Sequence, residues 1–325
     1  MNVDQILSRF PQRSALVIGD ICLDRWCAYD TATADPSRET GIPRIGVVST
    51  ETTPGAGGTV ANNLAALGVG RVAVIGVIGQ DGFGYELKRA LETRGIVSNL
   101  LVEAPDMQTF TYTKLINTAS GQEDLPRVDF ITTRPLDAAV ERKLLDQIMA
   151  RAAQYDVVLV SDQAETDQGG VVTPSIRELL SSMAKKAPNK VFWVDSRLRT
   201  EQFREMIVKP NQIEAEEACQ RLFGRVDYYA LRNAVGRKPM VITHGPGGAH
   251  VIEDTGITVV PARRIEHPVD ICGAGDSFSA GAAMTMAVTG SAVEAARFGN
   301  LVASVTIMKR GTGTASPEEV LAADR

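Results

Sequence analysis

The chain has 325 residues and a mass of 34.8 kDa, enough to bury a sizeable core in one large domain or two ordinary ones. A formal net charge of −5 and a pI near 5.4 argue against a broad basic face for nucleic acid. Hydrophobic residues at 44% and charged residues at 22% argue against wholesale disorder, which leaves the placement of 29 glycines as the compositional feature to follow.

Residues 1–14 lack the long apolar core of a secretory signal, so a soluble, cytoplasmic protein is expected. Ala15 to Ile18 reads as a buried first strand ending at Gly19 and Asp20. Residues 25–56 are rich in Thr, Pro and charge and contain an alternating segment from Ile45 to Thr50. A helix is predicted from Asn62 to Leu67, a strand from Val72 to Ile78 and a helix from Gly84 to Thr93. Residues 106–118 again alternate, with Thr and aromatics. Leu136, Val140, Leu144, Ile148 and Ala152 then form one helical stripe. A strand at 156–161, a helix at 173–187 with Thr173 as N-cap and Pro174 at its first position, and strands at 190–195 and 240–243 follow. The last apolar helix, Phe278 to Val288, is too short to span a bilayer, so no membrane association is expected.

Short unalternating Val/Ile strands between helices imply an α/β protein with a mainly parallel sheet and helices on both faces. The two alternating stretches, each with one face covered and one wet, are read as a small β lid. The division is a body of residues 1–24, 57–105 and 131–325, with lid insertions at 25–56 and 106–130. Edge strands of the main sheet are the alternative for these stretches. A lid of this kind leaves apolar edges open, which predicts a homodimer through the lid.

Four segments carry candidate chemistry. The strongest is Asp270 to Phe278 (DICGAGDSF). Gly273, Ala274 and Gly275 at a helix start can aim free N–H groups at one anion, with the helix dipole behind them. Asp276 beside that hole reads as a general base for a hydroxyl attacking a phosphoryl group. The plainer alternative is an acidic first-turn residue. The second segment, Gly55 to Gly68, brings glycines, Asn62 and Asn63 to a helix start, suited to the hydroxyls of a polyol or simply to a tight turn. In the third, Asn211 and Glu214 lie one turn apart, able to orient a hydrated Mg2+ or to form a capping box. The fourth, Val241 to Ala249, is a strand ending in a glycine-rich turn, for a nucleotide or as an ordinary β-turn; its His244 has no carboxylate partner in sequence. The four cysteines and three histidines show no zinc-like spacing. There is no GxxxxGK[ST] loop, no HRD or DFG segment and no GxSxG elbow.

In this order the four segments resemble the ribokinase-like (PfkB) carbohydrate kinase family over nearly the whole chain. Gly57 to Gly68 with Ile75 to Gly82 is similar to the first family signature, and Asp270 to Phe278 to the second, DTxGAGDxF. The resemblance implies a doubly wound α/β domain with a β lid that uses ATP and Mg2+ to phosphorylate a sugar or sugar-phosphate hydroxyl. It implies Asp276 as base, Gly273 to Gly275 as anion hole, and Asp24, Gly57, Gly58 and Asn62 as the sugar site. It also implies Asn211, Glu214, Thr243, Gly245, Gly248 and Asn300 on the nucleotide side, with Mg2+ held by Glu214 through water. Asp270 and Gly311 fall where members place a monovalent cation, K+.

Within the family the chain looks most like the heptose 7-phosphate kinase part of ADP-heptose synthesis enzymes. Gly19 to Arg25 resembles GDxxLDR, Arg127 to Asp129 resembles RVD, and Ser161-Asp162 resembles the start of SDY. It departs from that pattern at Gln163 to Glu165, at Ala34 to Pro43, at Asp195 to Arg197 and at Cys272, and these 325 residues leave no room for the nucleotidyltransferase half that often follows. Arg38, Arg197 and Arg199 are candidates for a phosphate already on the substrate, or for solvated surface arginines. Alternative readings are a kinase for a sugar acid or nucleoside, or a non-catalytic sugar-binding regulator. A dinucleotide dehydrogenase would need GxGxxG after the first strand, which is absent.

Overall fold

Apolar strands without polar alternation need cover on both faces, and the first strand shows how the chain supplies it. In a computed structural model that describes every residue but Ala34 and Asp167, helix α1 (Val3–Leu7) leads into β1 (Ser14–Gly19). Side chains of β1 alternate between two cores: Ala15 and Val17 join one, Leu16 and Ile18 the other. After β1 come β2 (Ile21–Tyr29), β3 (Val47–Ala56), α2 (Gly57–Ala66), β4 (Arg71–Ile75), β5 (Val77–Gly79) and α3 (Gly82–Glu92). Then follow β6 (Val102–Ala104), β7 (Thr111–Asn117), β8 (Val128–Phe130), α4 (Ala138–Arg151), β9 (Val157–Asp162), α5 (Pro174–Lys186) and β10 (Val191–Ser196). The chain ends through β11 (Ile207–Val208), α6 (Gln212–Phe223), α7 (Tyr228–Ala234), β12 (Met240–Thr243), β13 (Ala249–Glu253), β14 (Gly256–Val260), α8 (Ala274–Thr289), α9 (Ala292–Thr306) and α10 (Pro317–Ala323).

The main sheet has the order β14-β13-β12-β11-β10-β9-β1-β4. Strands β12 to β4 in that order are mutually parallel, and β13 and β14 close one edge antiparallel. Helices α2, α8 and α9 pack one face; α4, α5 and α6 pack the other. The expected open α/β sheet with helices on both faces is therefore present. A second sheet, β3-β2-β7-β8, pairs β2 with β3 antiparallel and with β7 parallel. Strand β7 keeps the alternation read from the sequence: Thr111, Thr113 and Leu115 are buried, and their neighbours are half-exposed. The chain position 24/25 falls inside β2. Among the described residues, no helix is long and apolar enough to cross a membrane.

Several boundaries differ from the sequence reading. The single strand expected at 72–78 breaks at Gly76 into β4 and β5, and β5 leaves the main sheet to pair with β6. A side chain at Gly76 would meet the Gly19 carbonyl at 2.7 Å, so the two segments cross too closely for anything larger. Helices α2 and α8 both begin earlier than their apolar patterns, at Gly57 and Ala274, because small residues pack those first turns. Gly19 itself adopts φ +136°, and a Cβ there would lie 2.0 Å from the Ser161 carbonyl oxygen. Only glycine lets β1 end so close to β9. That crowding brings the next residue, Asp20, under the loop that follows β9.

Candidate active site

The carboxyl ends of β1, β9, β10 and β11 meet the N-terminus of α8, the place where open α/β sheets bind ligands. The second sheet overhangs this edge and closes a cleft. Asp24, Arg25 and Trp26 reach it from β2, Tyr112 and Lys114 from β7, and Gly273 and Asp276 from the start of α8. Trp26 packs so closely on the 311–312 turn that a Cβ on Gly311 would be 3.0 Å from its ring.

Gly273 caps α8 with φ +76°. The N–H groups of Gly273 and Gly275 have no protein acceptor among the described residues, whereas that of Ala274 donates to the Ile271 carbonyl at 3.2 Å. Of the three amides expected to form an anion hole, those of Gly273 and Gly275 are free among the described residues and the capping turn engages that of Ala274. Asp276 projects from the same turn into the cleft. Desolvation, then the nearby Asp195 and Asp24 carboxylates, push its pKa up to about 8, against the opposing pull of Lys209 and Arg197.

Lys209, at the end of β11, is buried and was not singled out from the sequence. Its Nζ lies 2.8 Å from Asp195 Oδ2 and 3.5 Å from where a Cβ on Gly275 would stand. Asp195 Oδ2 also accepts a hydrogen bond from Ser279 of α8 at 3.0 Å. Burial works against the Lys209 charge, but Asp195, Glu214 and Asp276 overcome it and hold its pKa above the ordinary lysine value. A fixed ammonium thus stands against the free amides of α8.

Asp24 is held at a pKa of about 6 by burial, partly offset by the Cys22 thiol that donates to it at 3.7 Å and by Lys114 and Arg127. It fits because Gly55, the cross-strand partner of Cys22, has no side chain; a Cβ there would be 2.3 Å from Asp24 Oδ1. The N–H of Gly57 donates to the Asp20 carbonyl at 2.9 Å, and a Cβ on Gly58 would stand 2.7 Å from that of Pro54. Both glycines let α2 start against β2, where Ala56, at φ +50°, turns the chain. Asn62 is buried and its amide makes no hydrogen bond among the described residues. Asn63 is tied to the Thr59 carbonyl at 3.0 Å.

Among the residues expected to meet the nucleotide, Asn211 and Glu214 form a capping box: Glu214 N donates to Asn211 Oδ1 at 2.9 Å and Asn211 N to Glu214 Oε2 at 2.7 Å. Glu214 Oε1 keeps no protein partner among the described residues. One free carboxylate oxygen suits an outer-sphere role toward Mg2+, which keeps most of its ligands as water and phosphate. Among the described residues no cluster of acidic, His or Cys side chains forms a complete metal cage. Thr243 bridges to Asn211 beside this cap. Gly245 stands open with φ +54°, whereas a Cβ on Gly248 would strike the Val260 carbonyl at 2.2 Å. Asn300 donates to that same carbonyl at 3.1 Å and borders a second cavity with Pro261, Arg263 and Arg297. His244 stacks on His250 with ring centroids 3.9 Å apart. Asp270 accepts N–H donors from Cys272 at 2.9 Å and Gly311 at 3.1 Å, tying the two loops together.

Four cations line the cleft. Arg127 makes a two-bonded pair with Asp129, at 2.7 Å each. Lys114 pairs with Glu123 at 3.6 Å, and Arg197 pairs with Glu165. Arg25 stacks on Phe83 at 4.7 Å and has no hydrogen-bonding or ionic partner among the described residues, with its Nε buried. Of the arginines proposed from sequence to meet a phosphate, only Arg197 reaches the cleft. Arg38 is exposed elsewhere, and Arg199 is buried against Asp162.

The family model described as pfkB family carbohydrate kinase matches residues 13–319. The chain belongs to the pfkB family. It is a carbohydrate kinase. Among curated relatives, the bifunctional protein HldE of Pelobacter propionicus is 28% identical over 328 residues, covering 98% of this chain and 65% of that protein. HldE of Geobacter sulfurreducens is 30% identical over 335 residues, covering 98% and 64%. The chain thus spans about 65% of the length of the HldE proteins it matches. Among solved structures, ribokinase of Arabidopsis thaliana complexed with ribose and ATP aligns with a TM-score of 0.71 at 17% identity, covering 96% of this chain and 99% of that one. Phosphofructokinase-2 of Escherichia coli, in complex with potassium, gives 0.71 at 21%, covering 96% and 98%. These likenesses show the ribokinase-like fold.

The raised pKa of Asp276 has a stability consequence. The folded protein holds that proton up to about pH 8, whereas an unfolded carboxyl releases it near pH ~4. Stability from this group is therefore full at low pH and declines as pH rises through that window. Asp276→Asn is expected to be more stable than the parent at pH 9, with the difference closing toward pH 4. Urea-denaturation midpoints across this range measure it.

Proposed function

We propose that this pfkB carbohydrate kinase phosphorylates a hydroxyl of a small sugar already carrying an anionic group, with ATP as donor. What carries the reading is the juxtaposition at the α8 start: a carboxylate of high pKa, two free amides and a buried ammonium converge on one end of the cleft. Asp276 is the general base. It accepts the proton of the attacking hydroxyl as the sugar oxygen bonds to the γ-phosphorus and the bond from phosphorus to the ADP oxygen breaks. Gly273 N–H, Gly275 N–H and Lys209 supply the fixed positive field for the charge on the transferring group. Asp24 and Asn62 orient sugar hydroxyls.

Mg2+ accompanying ATP would neutralise phosphate charge, and Glu214 has the free oxygen to hold one of its waters. The nucleotide is assigned to the Thr243–Gly245 turn, with Gly248 and Asn300 shaping the loop behind it. A K+ ion beside the Asp270–Gly311 tie belongs to the same proposal.

The anionic group on the sugar is inferred from the cations at the other end of the cleft. Lys114, Arg127 and Arg197 each already have a carboxylate partner, whereas Arg25 has none. A half-buried, uncompensated guanidinium is suited to a phosphate or carboxylate on the substrate. Heptose 7-phosphate, the substrate class that the sequence resemblance implies, fits this pattern. Edge strand β3 exposes Val47 and Val48, with Ile42, Ile45, Val128 and Ile131 also exposed, which supports a homodimer through the second sheet. Four free cysteines support a reducing, cytoplasmic setting.

Asp276→Asn is expected to lower turnover by at least about a hundred-fold, the usual worth of a general base, while nucleotide binding by calorimetry survives. In the parent, kcat/KM is expected to rise with pH toward about 8, as Asp276 loses its proton. Near-normal turnover in the variant would overturn the mechanism. A panel of sugars and sugar phosphates including heptose 7-phosphate, read by ATP consumption, tests the substrate class. Arg25→Met is expected to raise KM for the phosphorylated sugar about ten-fold or more and to leave KM for ATP in place; equal use of neutral sugars by both proteins would overturn the anion reading. Light scattering at micromolar concentration is expected to give a dimer mass, and Val48→Lys a monomer.

A further inference from the structure

Two buried ions outside the cleft grip one loop from opposite sides. Asp20 follows β1 and is 3% exposed. Its Oδ2 accepts the backbone N–H of Gln163 at 2.7 Å and of Ala164 at 2.9 Å, and its Oδ1 accepts that of Val171 at 2.7 Å. Arg199, 8% exposed, supplies the complement. Its Nη1 donates to the Ala164 carbonyl at 3.3 Å and to Asp162 Oδ1 at 3.2 Å, and its Nη2 donates to the Thr166 carbonyl. Ser196 completes the anchor by donating to Asp162 Oδ2 at 2.7 Å and accepting Arg199 N at 3.0 Å. The amides of this loop are thus received by an anion and its carbonyls by a cation, although neither ion lines the cleft.

The geometry leaves little freedom. Gly170, at φ +100°, has room for no side chain: a Cβ would be 2.6 Å from the Ala164 Cβ and 3.4 Å from Asp20 Oδ1. Burying both charges is costly unless they are fully bonded, and here most of those bonds go to the backbone of one loop. What that loop carries explains the arrangement. Gln163 lines the cleft, and its Nε2 donates to the Asp195 carbonyl at 3.3 Å. Glu165 pairs with Arg197, which also lines the cleft.

We infer that Asp20 and Arg199 are positioning residues for the sugar end of the reaction: by clamping residues 163–166 and 169–171 they fix Gln163 and the Glu165–Arg197 pair against the substrate. They do not touch the substrate or the phosphoryl machinery, so their loss acts on sugar affinity and not on nucleotide affinity or the chemical step. The kinetic half of this inference rests on the kinase reading given above; the structural half does not.

Asp20→Asn keeps the shape but turns one accepting oxygen into a donor that faces N–H groups. The variant is expected to raise KM for the sugar substrate about ten-fold or more, with kcat and KM for ATP within about three-fold. Hydrogen exchange, with no substrate present, is expected to speed up at the Gln163, Ala164 and Val171 amides and to stay slow in β9 and β10. Arg199→Lys is expected to reproduce the sugar effect, since an ammonium cannot bridge two carbonyls and a carboxylate in one plane. An unchanged sugar KM, or an equal loss in sugar and ATP, would overturn the inference. Should Asp20→Asn fail to fold, Gln163→Ala with Glu165→Gln supplies the second arm. That double variant is expected to show the same sugar-KM rise with parental exchange at the clamped amides, and an unchanged KM would overturn the inference equally. If no sugar in the panel is turned over by the parent, the functional reading falls, while the exchange measurement still decides whether the clamp exists.

Discussion

The Lys209–Asp195 ion pair is the contact on which the rest of the site depends. Both partners sit at the ends of neighbouring parallel strands, and both are shielded from water by α8. A charge pair so placed is expensive to bury and strongly destabilising to break, since removal of one partner strands the other. Its worth is positional. Asp195 also receives Ser279 from α8, so the pair fastens the helix start to the sheet and keeps the ammonium beside the free amides of Gly273 and Gly275. The same carboxylate raises the pKa of Asp276 while Lys209 lowers it. The pair thus pulls in both directions on an acid whose pKa is raised first by burial.

Glu214 shows that a structural and a chemical role need not compete. The sequence left two uses open for Asn211 and Glu214, a capping box or a partner for hydrated Mg2+. The capping box is present, and it occupies one carboxylate oxygen only. The cap orients the other oxygen, which leaves it free for the Mg2+ role proposed above.

Much of the fold was legible because it follows from local physics. Unalternating Val/Ile runs marked the buried parallel strands, and Thr173-Pro174 marked the start of α5. At the site, Asp276 and the glycines before it were legible because small residues at a helix start leave donors free. The rest depended on tertiary burial. Ala274 was expected to offer its N–H, but the capping turn at Gly273 bends it onto Ile271. Gly57 and Gly58 read as part of a substrate loop, and only the structure shows that a side chain at either would crowd Ile21 or Pro54. Asp20 and Arg25 lie in the GDxxLDR-like segment and Arg199 among the candidate arginines, yet nothing local assigns these three or Lys209 the place that burial gives them. A lysine after an apolar strand, or an aspartate after a glycine, becomes informative only once its neighbours from distant segments are known. Gly76 interrupts its strand for the same reason, because the obstacle is the backbone of β1.

The chain has two tryptophans, and their environments differ as much as two indoles can. Trp193 is sealed in the main sheet with no solvent exposure. Trp26 belongs to the second sheet, lines the cleft and packs on the turn at Gly311. The first is shielded by the core from a dissolved quencher, while the second, half-buried where the two sheets meet, is open to one. Occupancy of the cleft is therefore readable by quenching of one indole against the other, without any label.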